Sequence, residues 1–388
     1  MQLKFFLICI CTLTLFSNTF PASGQESKRF SWNGAIKTRM QGDYQTGNQA
    51  ANRFVYGFFL NGTLRLTERI DVIGRLMSGN NRKIASSGWL NYSDLFVPKS
   101  SLISWDVRNL QIRRMYARLR LNPSLTLIAG KQPLPFFRPT QLIMDKDLAP
   151  EGFIQQFLFK NNDKSASWGL NLGQLMINQL ASPVKNLEQT YFFAAQAVAR
   201  FTQPSRSQAL AIAYYTVTRA DSFFASQNLI SPSPIVAANS NRPNSDQSGY
   251  LSEFRLINLS AQYSQTLKGW PLTFNADYVF NTGADDMQQG ITGSVMYGSM
   301  EMVGGTRAGV QAFFIEQDAT FAPFSNVDYT QTNSIGIGFL LGRQIIEKLA
   351  VDIALYTRKY DSPTTLPLPV ANNAWRTRFR LVFNLQLN

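Results

Sequence analysis

Arg114, Tyr116, Arg118 and Arg120 alternate with Met115, Ala117, Leu119 and Leu121. The same spacing returns near the end, where Arg376, Arg378 and Arg380 are set against Trp375, Thr377, Phe379 and Leu381. The chemistry on offer is binding rather than bond-making, because a guanidinium stays charged and grips carboxylate or phosphate through a fork of N–H groups. Of the 37 basic residues, 24 are arginine. Histidine is absent, which removes the commonest general base and the commonest metal ligand. Neither catalysis, a metal site nor a cofactor is expected. The carboxylate pairs Asp285-Asp286 and Asp145 with Asp147 sit in loop-like stretches, where solvation is the plainer role.

Such alternation calls for strands. Successive side chains of a strand point to opposite faces, so one face here is greasy and the other must stay wet. The pattern recurs along the chain. Phe54, Tyr56, Phe58, Leu60 and Leu64 alternate with Arg53, Asn61, Thr63 and Arg65, and a Thr67-Glu68 turn leads into Ile70, Val72, Gly74 and Leu76 opposite Asp71 and Arg75. Runs of about ten such residues suit strands that cross a bilayer at a tilt. An arginine facing lipid at mid-bilayer would cost ~2–4 kcal/mol, so Arg114, Arg118 and Arg120 are expected to point into the lumen of a closed barrel. Arg65 and Arg75 share that parity, and Arg376, Arg378 and Arg380 come near because the last strand closes on the first. For any single arginine close to a strand end, a solvated rim position is the alternative.

Export is indicated at the start of the chain. Lys4 precedes the apolar run Phe5 to Phe16 and then Pro21-Ala22-Ser23-Gly24, which reads as a signal peptide over residues 1–24 followed by one barrel domain over 25–388. A retained anchor would need about 20 apolar residues. The two cysteines, Cys9 and Cys11, fall within the segment to be removed. A net charge of +13 leaves open nucleic acid, an anionic membrane surface or anionic solutes as partners. Arrangement decides against the first: the cations alternate with aliphatics, and no zinc, helical or RNA-binding motif is visible.

Counting alternating runs gives about 16 strands of an all-β, transmembrane, antiparallel up-and-down barrel, with 14 or 18 as alternatives. They lie near Ser31–Met40, Arg53–Leu66, Arg69–Ser78, Arg108–Leu121, Leu125–Gln132, Phe153–Lys160, Ser165–Gly173, Tyr191–Arg200, Gln208–Val217, Leu251–Ser264, Pro271–Asn281, Ser294–Met302, Arg307–Gln317, Gln331–Leu341, Lys348–Tyr360 and Ala374–Asn388. Tyr191–Arg200, Leu251–Ser264 and Arg307–Gln317 break their alternation, which suggests bulges there. Tight turns such as Asn122-Pro123-Ser124 alternate with long polar stretches such as Gly79–Val107 and Arg219–Gly249, the sidedness of outer-membrane barrels rather than of a soluble sandwich. A barrel of this size generally leaves an aqueous channel.

Four short motifs are distinctive: AGKQPLPF at 129–136, DKDLAPEG at 145–152, FNADYVFN at 274–281 and FFIEQDA at 313–319. Through them most of the chain resembles a porin family of Gram-negative outer membranes. That resemblance implies a passive channel for small hydrophilic solutes, to which the arginines add a weak preference for anionic ones; outer-membrane lipid and the barrel assembly machinery are the expected partners, with a homotrimer left open. It also implies that the third external loop folds inward, so that Asp145, Asp147 and Glu151 face Arg114, Arg118 and Arg120 across a constriction. The alternative keeps the loop outside, with these acids paired to Lys146 and Arg138. One departure is the ending Leu385-Gln386-Leu387-Asn388, where such barrels commonly finish in an aromatic residue read during assembly. Two other functions remain beside the channel: a non-conducting adhesive or structural barrel, and an outer-membrane enzyme.

Overall fold

The computed structural model describes residues 29–45, 51–78, 97–98, 110–146, 148–163, 165–177, 188–224, 240–246, 248–325, 332–361 and 375–387. The expected signal peptide and nearly all of Gly79–Val107 lie outside the described residues. The strands are β1 (Phe30–Gln45), β2 (Ala51–Arg65), β3 (Ile70–Ser78), the two-residue β4 (Val97–Pro98), β5 (Leu110–Asn122), β6 (Leu125–Lys131), β7 (Glu151–Lys160), β8 (Ala166–Met176) and β9 (Tyr191–Gln203). They continue as β10 (Arg206–Thr218), β11 (Phe254–Leu267), β12 (Trp270–Asn281), β13 (Gln289–Gly298), β14 (Thr306–Ile315), β15 (Ser334–Ile346), β16 (Leu349–Tyr360) and β17 (Arg376–Leu387).

Each long strand pairs antiparallel with the next, and β17 returns to β1 from Gly34↔Leu387 to Gln45↔Arg376. The sheet is therefore a closed cylinder of sixteen long strands, as expected, and closure leaves no unpaired edge. Strand β4 adds two rungs to β2 beyond the end of β3, Val55↔Pro98 and Tyr56↔Val97. Connections are short at one end of the cylinder, as at 123–124, 204–205, 268–269 and 347–348, and longer at the other.

Alternation sorts the two faces. On β10, Ala209, Ala211, Ala213, Tyr215 and Val217 are buried while Leu210 and Ile212 are 54% and 55% exposed. Trp168, Leu259, Phe339 and Leu341 lie on the same outer surface of their strands. An apolar belt of this kind around a tube whose backbone groups are all paired is what a hydrocarbon surround requires.

Two sequence expectations are corrected. The strand expected over Ser294–Met302 runs over Gln289–Gly298, starting five residues and ending four residues earlier, because Gly290 and Thr292 continue the inward face and Gly298 (φ 94°) opens the turn. Bulges do not fall at β9, β11 or β14, whose registers run unbroken. Register shifts occur instead between β3 and β5, between β5 and β6, and between β15 and β16. At the first of these the extra residue is Arg113, which lets both Ile112 and Met115 face outward.

The core is not a layer between sheets. It is an apolar cluster inside the tube, where Leu134, Phe136, Leu142, Ile143, Met144 and Leu148 of the β6–β7 connection meet Phe192, Tyr215, Phe254, Leu256 and Val279 from the wall.

Candidate functional site: the two walls of the interior

One wall of the interior is cationic. It runs over β16, β17, β1, β2, β3 and β5, where alternation turns every second side chain inward and many of those are arginine. Towards the end with long connections, Arg376 lies over the Tyr360 ring at 4.6 Å, and Arg378 donates through Nε to Asp43 at 2.5 Å. Lower on β17, Arg380 lies over Tyr356 at 5.8 Å. At mid-height Lys37 (5.4 Å) and Arg75 (5.8 Å) both lie over the buried ring of Phe59, and Arg75 Nε donates to Asn61. An aromatic face beneath a cation attracts it electrostatically and limits its freedom.

Towards the end with short turns, Arg118 donates to Asp71 through Nε (3.1 Å) and Nη2 (2.6 Å). Arg120 donates to the same oxygen and, through Nη1, to the Glu68 carbonyl at 3.0 Å. Arg65 lies 3.8 Å from the other oxygen. A single carboxylate, 1% exposed, thus serves three guanidiniums, which leaves the cluster positive. Tyr116 sits between Arg114 and Arg118 on the same face.

The opposite wall, β9 to β14, is covered. One pair before their shared end, strands β6 and β7 meet at Gly130↔Gly152, at φ 118° and 154°, where a Cβ would strike the carbonyls of Met115 and Gln174 at 2.5 and 2.2 Å. Only glycine permits that approach, and from there residues 132–150 turn over the inward faces of the next strands. Two side chains hold them. Gln196 of β9 accepts the Phe137 N–H (2.6 Å) and donates back to its carbonyl (2.9 Å). Asp277 of β12 accepts the Thr140 N–H (2.9 Å), the Thr140 hydroxyl and the Ser260 hydroxyl. Arg138 braces the segment from within, donating to the carbonyls of Leu134, Met144 and Asp145.

A second inserted segment, residues 316–325, lies against the first. The Asp145 N–H donates to the Phe324 carbonyl at 2.7 Å, and Phe324 meets Phe192 with ring centroids 5.1 Å apart. Asn241 fixes its backbone, donating to the carbonyls of Gln317 and Thr320 and accepting the Ala322 N–H. Asp318, fully buried, accepts from Arg242 and Ser252. Burial works against the Arg242 charge, but its hydrogen bonds to Asp286 and Asp318 outweigh that and raise its pKa further.

Of the sequence-derived cations, Arg75, Arg114, Arg118, Arg120, Arg376, Arg378 and Arg380 share the inward parity, and Arg65 lies half exposed at the end of β2. The acids behave differently. Asp145 is buried with its backbone engaged, Glu151 stands opposite Lys131 and Met176 at the start of β7, and Asp147 lies outside the described residues. The carboxylate that Arg118 and Arg120 contact is Asp71. Lys37, Arg39, Arg358 and Asp43 were not singled out in the sequence, although they obey the same alternation. Nor were Gln196 and Asp277: Gln196 is a lone amide on an apolar inward face, which is a signal that could have found it, whereas Asp277 is the one acid in the inward row Thr273, Asn275, Asp277. Among the described residues no cluster of His, Cys, Asp and Glu could hold a metal ion.

No protein-family model matches the chain, and no curated protein matches it. Solved structures do. OprB of Pseudomonas putida aligns with TM-score 0.57 at 9% identity, covering 93% of this chain and 94% of its own. OmpF of Salmonella typhi, solved with daunomycin, aligns with TM-score 0.51 at 8% identity, covering 92% and 97%. A loop-deletion mutant of OmpT, an outer membrane protein of Vibrio cholerae, gives TM-score 0.51 at 8% identity over 92% and 100%. At such identities the likeness is one of architecture. The chain has the porin-like fold expected from its sequence: a closed antiparallel barrel of sixteen long strands.

Proposed function

We propose that the protein is an outer-membrane porin of a Gram-negative bacterium, a passive channel for small hydrophilic solutes that favours anions. The observation that carries this reading is the division of the interior into a cationic wall and a wall covered by residues 132–150 and 316–325. In this reading residues 132–150 narrow the passage, and water and solute move between that segment and the arginines. Fixed charges close to a narrow aqueous path sort ions by sign. Residues 1–24 act as the export signal, and the outward apolar belt meets lipid. Assembly of three copies, and insertion by the barrel assembly machinery, belong to the same proposal.

Less supports an enzyme. Histidine is missing, and of the loop carboxylates Asp286 and Asp318 are both engaged by Arg242. The test is conductance of purified protein in planar bilayers under a salt gradient. Discrete steps with a reversal potential on the anion side are expected, and neutralising Arg114, Arg118 and Arg120 together to glutamine should move that potential toward cation preference. Unchanged selectivity rejects the role of the arginines, while absence of steps rejects the channel and favours a structural or adhesive barrel.

A further inference from the structure

The cations of the bare wall are not scattered; they descend it. On β17 Arg376, Arg378 and Arg380 occupy successive inward positions, and Arg380 stands opposite Gln41 of β1. Below Gln41 the inward positions of β1 are Arg39 and then Lys37. Lys37 shares the Phe59 ring with Arg75 of β3, and Arg75 stands opposite Arg114 of β5. Two residues down Arg114's own strand face come Tyr116 and then Arg118 and Arg120. Successive inward positions along a strand are about 6.8 Å apart and neighbouring strands about 4.8 Å apart. Neighbouring cations along this path are about 7–10 Å apart, and about 14 Å where Tyr116 intervenes, a span that two extended side chains cover together.

Aromatic rings set the posture of these cations. Arg376, Arg380 and the Lys37–Arg75 pair each lie over a ring, of Tyr360, Tyr356 and Phe59 respectively. A ring occupies the face of a guanidinium, so its hydrogen bonds run through the in-plane N–H edges, as that of Arg75 to Asn61 does. At the bottom, Asp71 fixes Arg118 and Arg120 without neutralising them.

Resting on the channel reading above, we propose that this wall is a relay of oxyanion steps. The solutes it favours carry two or more oxyanion groups, as in di- and tricarboxylates or polyphosphates. A monovalent anion must leave one step entirely before it meets the next. A solute with several charges holds one step while another group engages the following one, so its affinity for the path rises with charge number and its passage needs no full release. The shared chemistry is the oxyanion; carboxylate and phosphate are separated by the arms of the test.

The experiment is single-channel recording of the whole protein in KCl, with blockers added to one side. One arm uses acetate, succinate and tricarballylate; the other uses phosphate, pyrophosphate and tripolyphosphate. The half-blocking concentration should fall by about tenfold for each added charge, and the steeper arm identifies the preferred oxyanion. Changing Arg39 and Arg380 together to glutamine breaks the path in its middle and should flatten the series. Arg39→Lys with Arg380→Lys keeps the charges without the forks and should give an intermediate slope, which preserves the test if the glutamine pair does not assemble. Arg255→Gln, on the outward face beside Glu253, should leave the slope as it was. Anion-selective steps with a flat series would overturn the relay alone. Absence of any steps would overturn the channel reading and the relay with it.

Discussion

The wall formed by β16, β17, β1 and β5 and the wall formed by β9 to β12 obey the same inward–outward alternation, yet they use their inward positions for opposite ends. On the first, inward arginines lie over rings or against Asp43 and Asp71 and keep their charge at the surface of the cavity. On the second, the inward residues are Ala, Val, Phe and Tyr with Gln196 on β9 and β10, and on β11 and β12 Phe254, Leu256 and Val279 followed by a hydrogen-bonded polar row of Asn258, Ser260 and Asp277; these hold polypeptide. Gln196 and Asp277 spend their hydrogen bonds on Phe137 and Thr140. A barrel this wide cannot fill itself with side chains, so one wall takes chain into the interior while the other is left to face what passes.

The largest expected effect comes from undoing that difference. Asp277→Ala leaves the Thr140 N–H, the Thr140 hydroxyl and the Ser260 hydroxyl without their acceptor inside the barrel. Stranding buried donors of a charged acceptor costs about 3 kcal/mol. Unfolding of the detergent-solubilised protein should shift by that amount, and amide exchange over 137–145 should quicken more than over the strands. Exchange that stays as slow as in the parent would mean that Gln196 and the apolar contacts hold the segment unaided.

A smaller effect is expected at the cationic wall. Asp71→Asn keeps the shape but removes the one carboxylate shared by Arg65, Arg118 and Arg120. The guanidiniums are 37–49% exposed, so solvent screening holds the loss to about 1 kcal/mol. The interior gains positive charge, and the reversal potential should move further toward anions. A shift the other way would mean that the arginines collapse out of the path once Asp71 is gone.

The two walls were also unequally legible in the sequence. Where inward residues face water, polarity and apolarity alternate cleanly, and Arg114–Leu121 and Trp375–Leu387 can be assigned to faces by inspection. Where apolar inward residues face an inserted segment, as on β9 and at the segment-facing ends of β11 and β14, both faces are apolar and the period of two is blurred. Tyr191–Arg200 is the plainest case: its inward Phe192, Ala194 and Val198 pack inside, its outward Ala195, Ala197 and Ala199 look no different, and the strand is nonetheless regular. Phe254 and Leu256 blur β11 and Phe313 and Ile315 blur β14 for the same reason. The inserted segments had their own signal in Leu142-Ile143-Met144 and Phe321-Ala322-Pro323-Phe324, apolar clusters in connections, in contrast to the Ser-, Asn- and Pro-rich stretches Gly79–Val107 and Arg219–Gly249. The pairing of Arg118 and Arg120 with Asp71 depends on strand register, which the bulge at Arg113 sets and the pattern does not reveal.

The smallest expected effect lies in the connection that backs the covered wall. Asp246 accepts from the hydroxyl (2.7 Å) and the N–H (3.2 Å) of Ser248, and Asn244 accepts the same N–H, closing a turn beside Tyr250. Those bonds, the hydroxyl first, hold the Asp246 carboxyl below its usual range. A carboxylate whose folded pKa is depressed lends its stability above the unfolded value of about 3.9 and loses it as pH falls through the lower, folded value. Amide exchange at Ser248 and Gly249 should therefore stay slow down to about pH 4 and quicken only below it. In Ser248→Ala the onset should move up toward the ordinary carboxylate range, with no change in global unfolding because the Asp246 and Ser248 side chains are exposed. The cationic wall supplies the contrast: its arginines keep their charge throughout this interval, so anion preference should persist while the turn loosens. Selectivity that faded together with the turn would show that the two walls are coupled, and that the covered one does more than occupy space.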